Sequence, residues 1–265
     1  MHFKLTVVTA VLNGRKTLQE NLDSVHSETS RHRVNQLIVD GGSTDGSLAL
    51  VEQSLRQHRY AVEVHPMPVS GISNAFNAGI ANANGDYVSF LNSDDRYVKG
   101  ALDKVLRRIE EGAGSADVYF GNIVYQDPIR AYQYEEKARL ENIPKFMSVY
   151  HPAMFFRREA LESLVGFKND YQLAMDAELV HRAIKKGMTF ESLDFNVAVM
   201  RLGGASHQHY ILALNEYRRS IVMNGLQTPL RAAFYFLRQI TIHFLLRIPQ
   251  IKNIRSHAAQ PPNEQ

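Results

Sequence analysis

Asn84-Gly85-Asp86-Tyr87-Val88-Ser89-Phe90-Leu91-Asn92-Ser93-Asp94-Asp95 reads as a turn, a short buried strand and two adjacent carboxylates at the strand's end. Val88, Phe90 and Leu91 form a β-prone apolar run, and Asn84-Gly85-Asp86 supplies turn chemistry before it. In an open parallel sheet, ligands bind outside the carboxyl ends of the strands. Two carboxylates there repel unless a cation or a proton sits between them. A hard divalent ion, Mg²⁺ or Mn²⁺, held by one or two carboxylates and by substrate phosphates accounts for the pair. The alternative is that Ser93 or Asp94 caps a helix beginning near Lys99.

Upstream, strands and helices alternate. Residues 5–12 are a near-continuous apolar run, as in a strand buried on both faces, and Asn13-Gly14 breaks it. Leu18, Leu22 and Val25 recur at helical spacing over about residues 16–27. A second strand covers 36–40, a helix passes through Leu48, Val51 and Leu55, and a third strand covers 61–64. Another helix spans 72–82. This alternation predicts right-handed crossovers and an α/β, Rossmann-like fold, with a mainly parallel central sheet and helices on both faces. The loop Asp40-Gly41-Gly42-Ser43-Thr44-Asp45-Gly46-Ser47 ends a strand and opens a helix, so its backbone N–H groups could meet an anion. It is neither a Walker A loop nor a dinucleotide fingerprint. Asp40 is placed to accept hydrogen bonds from a base or ribose; a capped turn without ligand is the other reading. Val69-Ser70-Gly71-Ile72-Ser73-Asn74 has the same small-residue character before a helix.

Beyond Asp95 the alternation loosens. A helix over 100–111 and strands over 118–125 and 153–156 are expected, the last directly after His151-Pro152. Residues 126–142 read as a meander or a mobile loop. A helix begins near Arg158, and another spans 173–187 with Asp176 near its start. That acid is either aimed at a cleft or placed where helix electrostatics favours negative charge. A last strand over 195–202 leads into a flexible loop, Gly203-Gly204-Ala205-Ser206-His207.

The chain has 265 residues, 45% of them hydrophobic and 22% charged, as in a soluble globular protein. It holds no cysteine, which excludes disulfides and thiolate metal sites. Its start, Met-His-Phe-Lys, lacks the architecture of a signal peptide. A net charge of +3 is too small to argue for nucleic acid, but it is unevenly spread. After Glu216 stand seven basic residues and the single acid Glu264, so the tail carries +6 and the rest −3. Helices are expected over 211–225 and 229–248. In the second, Arg231 and Arg238 fall opposite an apolar arc with Ala233, Phe236, Leu237, Ile240 and Phe244. This suits an anionic membrane surface or packing on the protein's own core, and its interruptions exclude a transmembrane span.

In this order the pieces resemble the inverting family 2 glycosyltransferases, of GT-A fold, across about residues 3–205. The markers are Val8-Thr9-Ala10-Val11-Leu12-Asn13, Ile38-Val39-Asp40-Gly41-Gly42-Ser43-Thr44-Asp45-Gly46-Ser47, Gly71-Ile72-Ser73-Asn74-Ala75-Phe76-Asn77-Ala78-Gly79-Ile80 and Asn84 to Asp95. The tract His151-Pro152-Ala153-Met154-Phe155-Phe156-Arg157-Arg158, Asp176-Ala177-Glu178-Leu179 and Arg201-Leu202-Gly203-Gly204-Ala205-Ser206 looks like the acceptor half of bacterial polysaccharide-assembling members. The resemblance implies a nucleotide-sugar-binding half over 1–98, an acceptor half over 99–207 and a basic helical tail over 208–265. It implies that Asp94 and Asp95 stand at the metal-binding acidic motif, for Mn²⁺ or Mg²⁺, with Asn92 replacing a frequent first aspartate. Asp95 is the expected direct ligand. Asp40 corresponds to the first of two acids at the nucleotide, and Gly41 replaces the second. Thr9, Ala10, Asn13, Ser70, Asn74, Asn92 and Asp94 are further expected nucleotide contacts. Asp176 matches the general base, His151 and Glu178 fall near the acceptor, and Ser206 and His207 near the diphosphate or metal. The implied activity moves a sugar, with a UDP-sugar the leading donor, to a glycan or lipid-linked acceptor in cell-surface polysaccharide biosynthesis. The expected location is cytoplasmic, peripheral on the inner membrane face, with a homo-oligomer possible and no nucleic acid. A nucleotidyltransferase of related fold and a catalytically silent membrane scaffold are the alternatives.

Overall fold

The computed structural model describes residues 2–27, 33–58, 62–66, 71–127, 129 and 132–245. β1 (Leu5–Val11) is buried almost throughout, as its unbroken apolar run requires. β2 (Val34–Asp40) and β4 (Tyr87–Asn92) flank it in parallel, and β3 (Val62–Pro66) continues in parallel beyond β2. Helices α1 (Arg15–His26), α2 (Ser47–His58) and α3 (Ile72–Asn82) make the crossovers. α3 lies close on β1 because of Gly79: a Cβ there would stand 2.1 Å from Val8 Cγ1. Asn13 turns the chain out of β1 with φ 54°, a left-handed conformation that asparagine tolerates.

The expected mainly parallel sheet is corrected in the second half. There the chain adds β5 (Arg96–Tyr97), α4 (Ala101–Glu111), β6 (Val118–Asp127), β7 (Tyr132–Glu136), β8 (Met154–Arg157), α5 (Arg158–Ser163), α6 (Met175–Lys185) and β9 (Phe190–Arg201). The strand order is β3-β2-β1-β4-β8-β6-β9-β5, with β7 paired to β6. β8 runs antiparallel to both β4 and β6, β7 antiparallel to β6, and β5 antiparallel to β9, while β6 and β9 are parallel. The sheet is therefore mixed and strongly curled. A parallel pair needs a crossover, usually helical. Between β6 and β8 the chain folds back as the β6–β7 hairpin and then makes only two 3-10 turns, so β8 enters reversed. That hairpin occupies much of the stretch expected as a meander or mobile loop.

Helices cover both faces. Phe76 of α3 and Leu179 of α6 join Val8, Phe90 and Phe156 in one core, and α4 closes the other face. Leu102, Val105, Leu106 and Ile109 of α4 are fully buried at the i, i+3, i+4, i+7 spacing of one helical face. Each such side chain contributes about 1.5–3 kcal/mol relative to exposure. α4 starts after Gly100 at φ 77° with no side-chain cap, and β5 precedes it. Neither Ser93 nor Asp94 is its cap.

α7 (Ala205–Gln208) stands where a flexible loop is expected, and α8 (Tyr210–Met223) and α9 (Pro229–Leu245) follow. α8 packs on α6 through Ala174, Ala177, Tyr217 and Ile221, with Ala232 of α9 in the same cluster. Tyr210 stacks on His243 at 4.2 Å, tying the start of α8 to the end of α9. Among the described residues, no helix is long and apolar enough to cross a membrane. Ser70, Arg247, Lys252, Arg255 and the expected end of the last helix lie outside the described residues.

Candidate active site

The parallel register aligns three strand ends: Ala10 pairs with Asn92, and Val11 with Asp40. After β4 the chain turns tightly, Asp95 N donating to Asn92 O at 3.0 Å. Asp95 is 3% exposed. Its Oδ1 accepts from Arg201 N at 3.0 Å and its Oδ2 from Asn92 Nδ2 at 3.3 Å. Burial, then the charge of Asp94, pushes the Asp95 carboxyl up to about 7. Asn92 Oδ1 is buried with no hydrogen-bond partner among the described residues.

A buried polar chain holds this turn from below. Asn21 Nδ2 donates to Asn92 O and Asp95 O at 2.8 and 3.0 Å. Gln36 Nε2 donates to Asn21 Oδ1 and Thr9 Oγ1, and Gln36 Oε1 meets His26 Nε2 at 3.1 Å. Burial lowers His26 to about 4, and likewise His181, whose Nδ1 lies 2.8 Å from Ser220 Oγ. Both histidines hold fewer protons folded than unfolded between pH 6.5 and 4. Their contribution is present above pH 6.5 and is lost as pH falls through 4, about 3 kcal/mol each. His26→Gln is expected to flatten the loss of stability between pH 6.5 and 4 in urea titrations; an unchanged slope would remove His26 from this account.

In the loop after β2, four of the N–H groups expected as a backbone anion cradle are already used within the fold. Gly41 N donates to Val11 O, Gly42 N and Ser43 N to Asp40 Oδ2, and Thr44 N to Asn13 Oδ1. Asp45 accepts from Ser47 and Arg15 and so starts α2. Asp40 Oδ1 is left buried without a partner among the described residues. Asn74 lies in the first turn of α3, half-buried.

Asp176 lies in the first turn of α6. Its Oδ1 accepts from Ala177 N at 2.8 Å and its Oδ2 lies 3.2 Å from His151 Nδ1. His151 is buried, and its Nε2 has no partner among the described residues. The segment leading into α6 is clamped from α8. Glu216 Oε1 accepts from Gln172 N at 3.1 Å, and Oε2 from Leu173 N and Ala174 N at 2.8 and 2.9 Å. A cavity of about 640 Å³ gathers Asn92, Asp94, Asp95, His151, Asp176, Ser206 and His207 along its wall. Tyr125, Tyr134, Tyr150, Tyr210 and Tyr217 line it too. Glu178 is corrected as an acceptor residue: it is fully buried, paired with Arg182 at 2.7 Å and Lys168 at 3.0 Å, and absent from the cavity wall.

Two residues escaped the sequence reading. Arg201 holds both acids, its backbone N on Asp95 and its Nε donating to Asp94 O at 3.1 Å, while its Nη2 reaches Glu20 at 2.7 Å. Glu216 shows in the sequence as the last acid before the basic tail, but its partners are backbone groups that no side-chain pattern records.

The sequence model of glycosyl transferase family 2 matches residues 6–165, more than half of the chain. The protein is a family 2 glycosyltransferase. Its activity is glycosyl transfer. This sets aside the nucleotidyltransferase alternative. The glycosyltransferase is 29% identical over 189 residues to the uncharacterized glycosyltransferase MT1564 of Mycobacterium tuberculosis, covering 68% of each chain. Among solved structures it is similar to TarS of S. aureus in complex with UDP-GlcNAc, with TM-score 0.67, 18% identity, and 91% of this chain and 72% of that one covered. It is also similar to the mannosyltransferase PcManGT of Pyrobaculum calidifontis in complex with GDP-Man and Mn²⁺, with TM-score 0.67, 18% identity and coverages of 89% and 70%. At these identities the structures establish a shared GT-A-like fold.

Proposed function

We propose that this glycosyltransferase inverts the anomeric centre in one displacement, with Asp176 as general base and Asp94 and Asp95 at the leaving diphosphate. The observation that carries the reading is that these three carboxylates face one cavity. Asp176 takes the proton from an acceptor hydroxyl as its oxygen attacks the anomeric carbon. His151 orients the Asp176 carboxylate through Nδ1 and the Ala177 N–H fixes its other oxygen. The sugar–phosphate bond breaks as the new glycosidic bond forms, so an α-linked donor gives a β-linked product.

The residues fit a divalent metal, Mn²⁺ or Mg²⁺, at Asp95 and Asp94. The buried carboxyl of Asp95 beside Asp94 gains from a neighbouring cation, and Asn92 Oδ1 is a spare oxygen. Among the described residues no group of three or more His, Cys, Asp or Glu converges to hold an ion. Such a sparse oxygen set suits a hard ion that takes its other ligands from water and substrate phosphates. When bound, the ion would neutralise charge on the leaving diphosphate. Ser206 and His207 line the same cavity, and in this reading they meet the diphosphate.

Thr9, Ala10, Asn13 and Asp40, at the aligned strand ends, and Asn74, at the start of α3, take the nucleotide. A uridine donor is supported by the unpartnered Asp40 Oδ1, an acceptor that suits the uracil N3–H. The UDP-GlcNAc held by TarS is in keeping with this. The tyrosine-rich wall suits the rings of a glycan or lipid-linked acceptor. A panel of sugar nucleotides with Mn²⁺ or Mg²⁺, read by saturation-transfer NMR, identifies the donor. The anomeric coupling constant of the product then tests the mechanism: inversion is expected, and retention overturns the single displacement.

A further inference from the structure

α9 has two unlike faces. Ala232, Tyr235, Phe236 and Gln239 line the cavity, so the helix walls the site. On the opposite side Leu230, Phe234, Leu237, Phe244 and Leu245 are between 45% and 82% exposed. Positions 230, 234, 237, 241 and 244 follow the helical i, i+4, i+7 spacing, so these side chains form one stripe, apolar except for Thr241, whose hydroxyl donates to Leu237 O. This corrects the arc expected from sequence, because Phe236 faces the cavity and Arg218 lies over its ring at 5.6 Å. Arg231 and Arg238, both exposed, flank the stripe on one edge. α9 contains no acid.

We propose that this stripe docks on an anionic lipid bilayer, with α9 lying in the plane of the interface. An apolar stripe of this extent on a surface marks an interaction site. The charge pattern selects the occupant. A second copy packed antiparallel through the same face would set arginine against arginine with no acid on α9 to offset them, whereas anionic headgroups match both arginines. A helix is about 10 Å across. A docked α9 therefore places the cavity wall one helix diameter from the lipid headgroups, where an amphiphilic acceptor would be held. Docking itself does not depend on the assignment of Asp176 or Asp95, and the test leaves both untouched.

The test is flotation of the full chain with vesicles of phosphatidylcholine alone or mixed equally with phosphatidylglycerol, at low and high salt. The wild type floats with the mixed vesicles, and salt weakens the binding. Arg231→Gln with Arg238→Gln lowers partitioning roughly 25-fold, about fivefold for each arginine. Phe234→Glu with Leu237→Glu lowers it by on the order of tenfold or more and removes the salt-resistant part. All four side chains are exposed, and unchanged sugar-nucleotide turnover on a soluble acceptor reports an intact fold. Wild type that stays unbound at low salt overturns the proposal, as do variants that float like wild type. So does a dimer that Phe234→Glu dissolves in the absence of vesicle binding, which would make the stripe a contact between copies.

Discussion

Asp176→Asn lowers turnover by about 10²–10⁴-fold, the usual worth of a general base. The substitution nearly preserves shape, so the loss isolates the chemistry. The amide oxygen still accepts from Ala177 N, and the new NH₂ meets His151 Nδ1, which accepts in the other neutral tautomer. The proposed nucleotide site lies at the ends of β1, β2 and β4, so donor affinity is expected to stay close to wild type. Rapid-quench measurement of one turnover, with calorimetric titration of donor, separates the two quantities. A variant keeping half its turnover would remove Asp176 from the role of base.

Chelation abolishes transfer, and Asp95→Asn loses metal-dependent nucleotide binding while gaining stability in chelator. The gain follows from the buried carboxyl, raised from 3.8 to about 7. A raised carboxyl costs stability as pH climbs from 3.8 through 7, here about 4 kcal/mol at and above neutrality. The amide removes that charge. Its oxygen still accepts from Arg201 N, and Asn92 turns its unpartnered Oδ1 toward the new NH₂. His26 and His181 act with the opposite sign over nearly the same pH window, so the substitution also steepens the acid loss of stability. Thermal melts with and without Mn²⁺ from pH 4 to 8 check every part. Full activity in excess chelator, or an Asp95→Asn protein that Mn²⁺ still stabilises, would falsify the metal assignment.

Local pattern carried the first half of the fold. The helix expected over 72–82 matches α3 residue for residue, and the runs at 5–12 and 36–40 and the β-prone run of Val88, Phe90 and Leu91 became the parallel strands that deliver Asp40, Asn92 and Asp95. Strand direction was not legible, since an apolar run such as Met154–Arg157 has the same periodicity whichever way it enters the sheet. β5, at two residues, is too short to carry a period. Within the site, local pattern left capping and helix electrostatics open for the acids and for Asp176; the family resemblance singled them out, and the fold brings them to one cavity wall. Arg201 donates its own backbone N–H to Asp95 Oδ1, 106 residues away, and Glu216 accepts from Ala174 N, 42 residues away, relations that exist only after folding. Glu178 misled for the converse reason: it shares the first turn of α6 with Asp176 yet points into a buried pair with Arg182. On α9 the apolar positions were visible, but which flank faces solvent is decided by α8.

The clamp from Glu216 onto the residues before Asp176 also sets an order in time. During synthesis, Ala174 leaves the ribosome 42 residues ahead of the carboxylate that accepts its N–H. At about 5–20 residues per second that gap lasts a few seconds. In the interval, the acidic turn of β4 still lacks the Arg201 N–H that Asp95 accepts, and the segment entering α6 lacks its acceptor. The proposed base is therefore seated late, by a part of the chain that lies beyond residue 165.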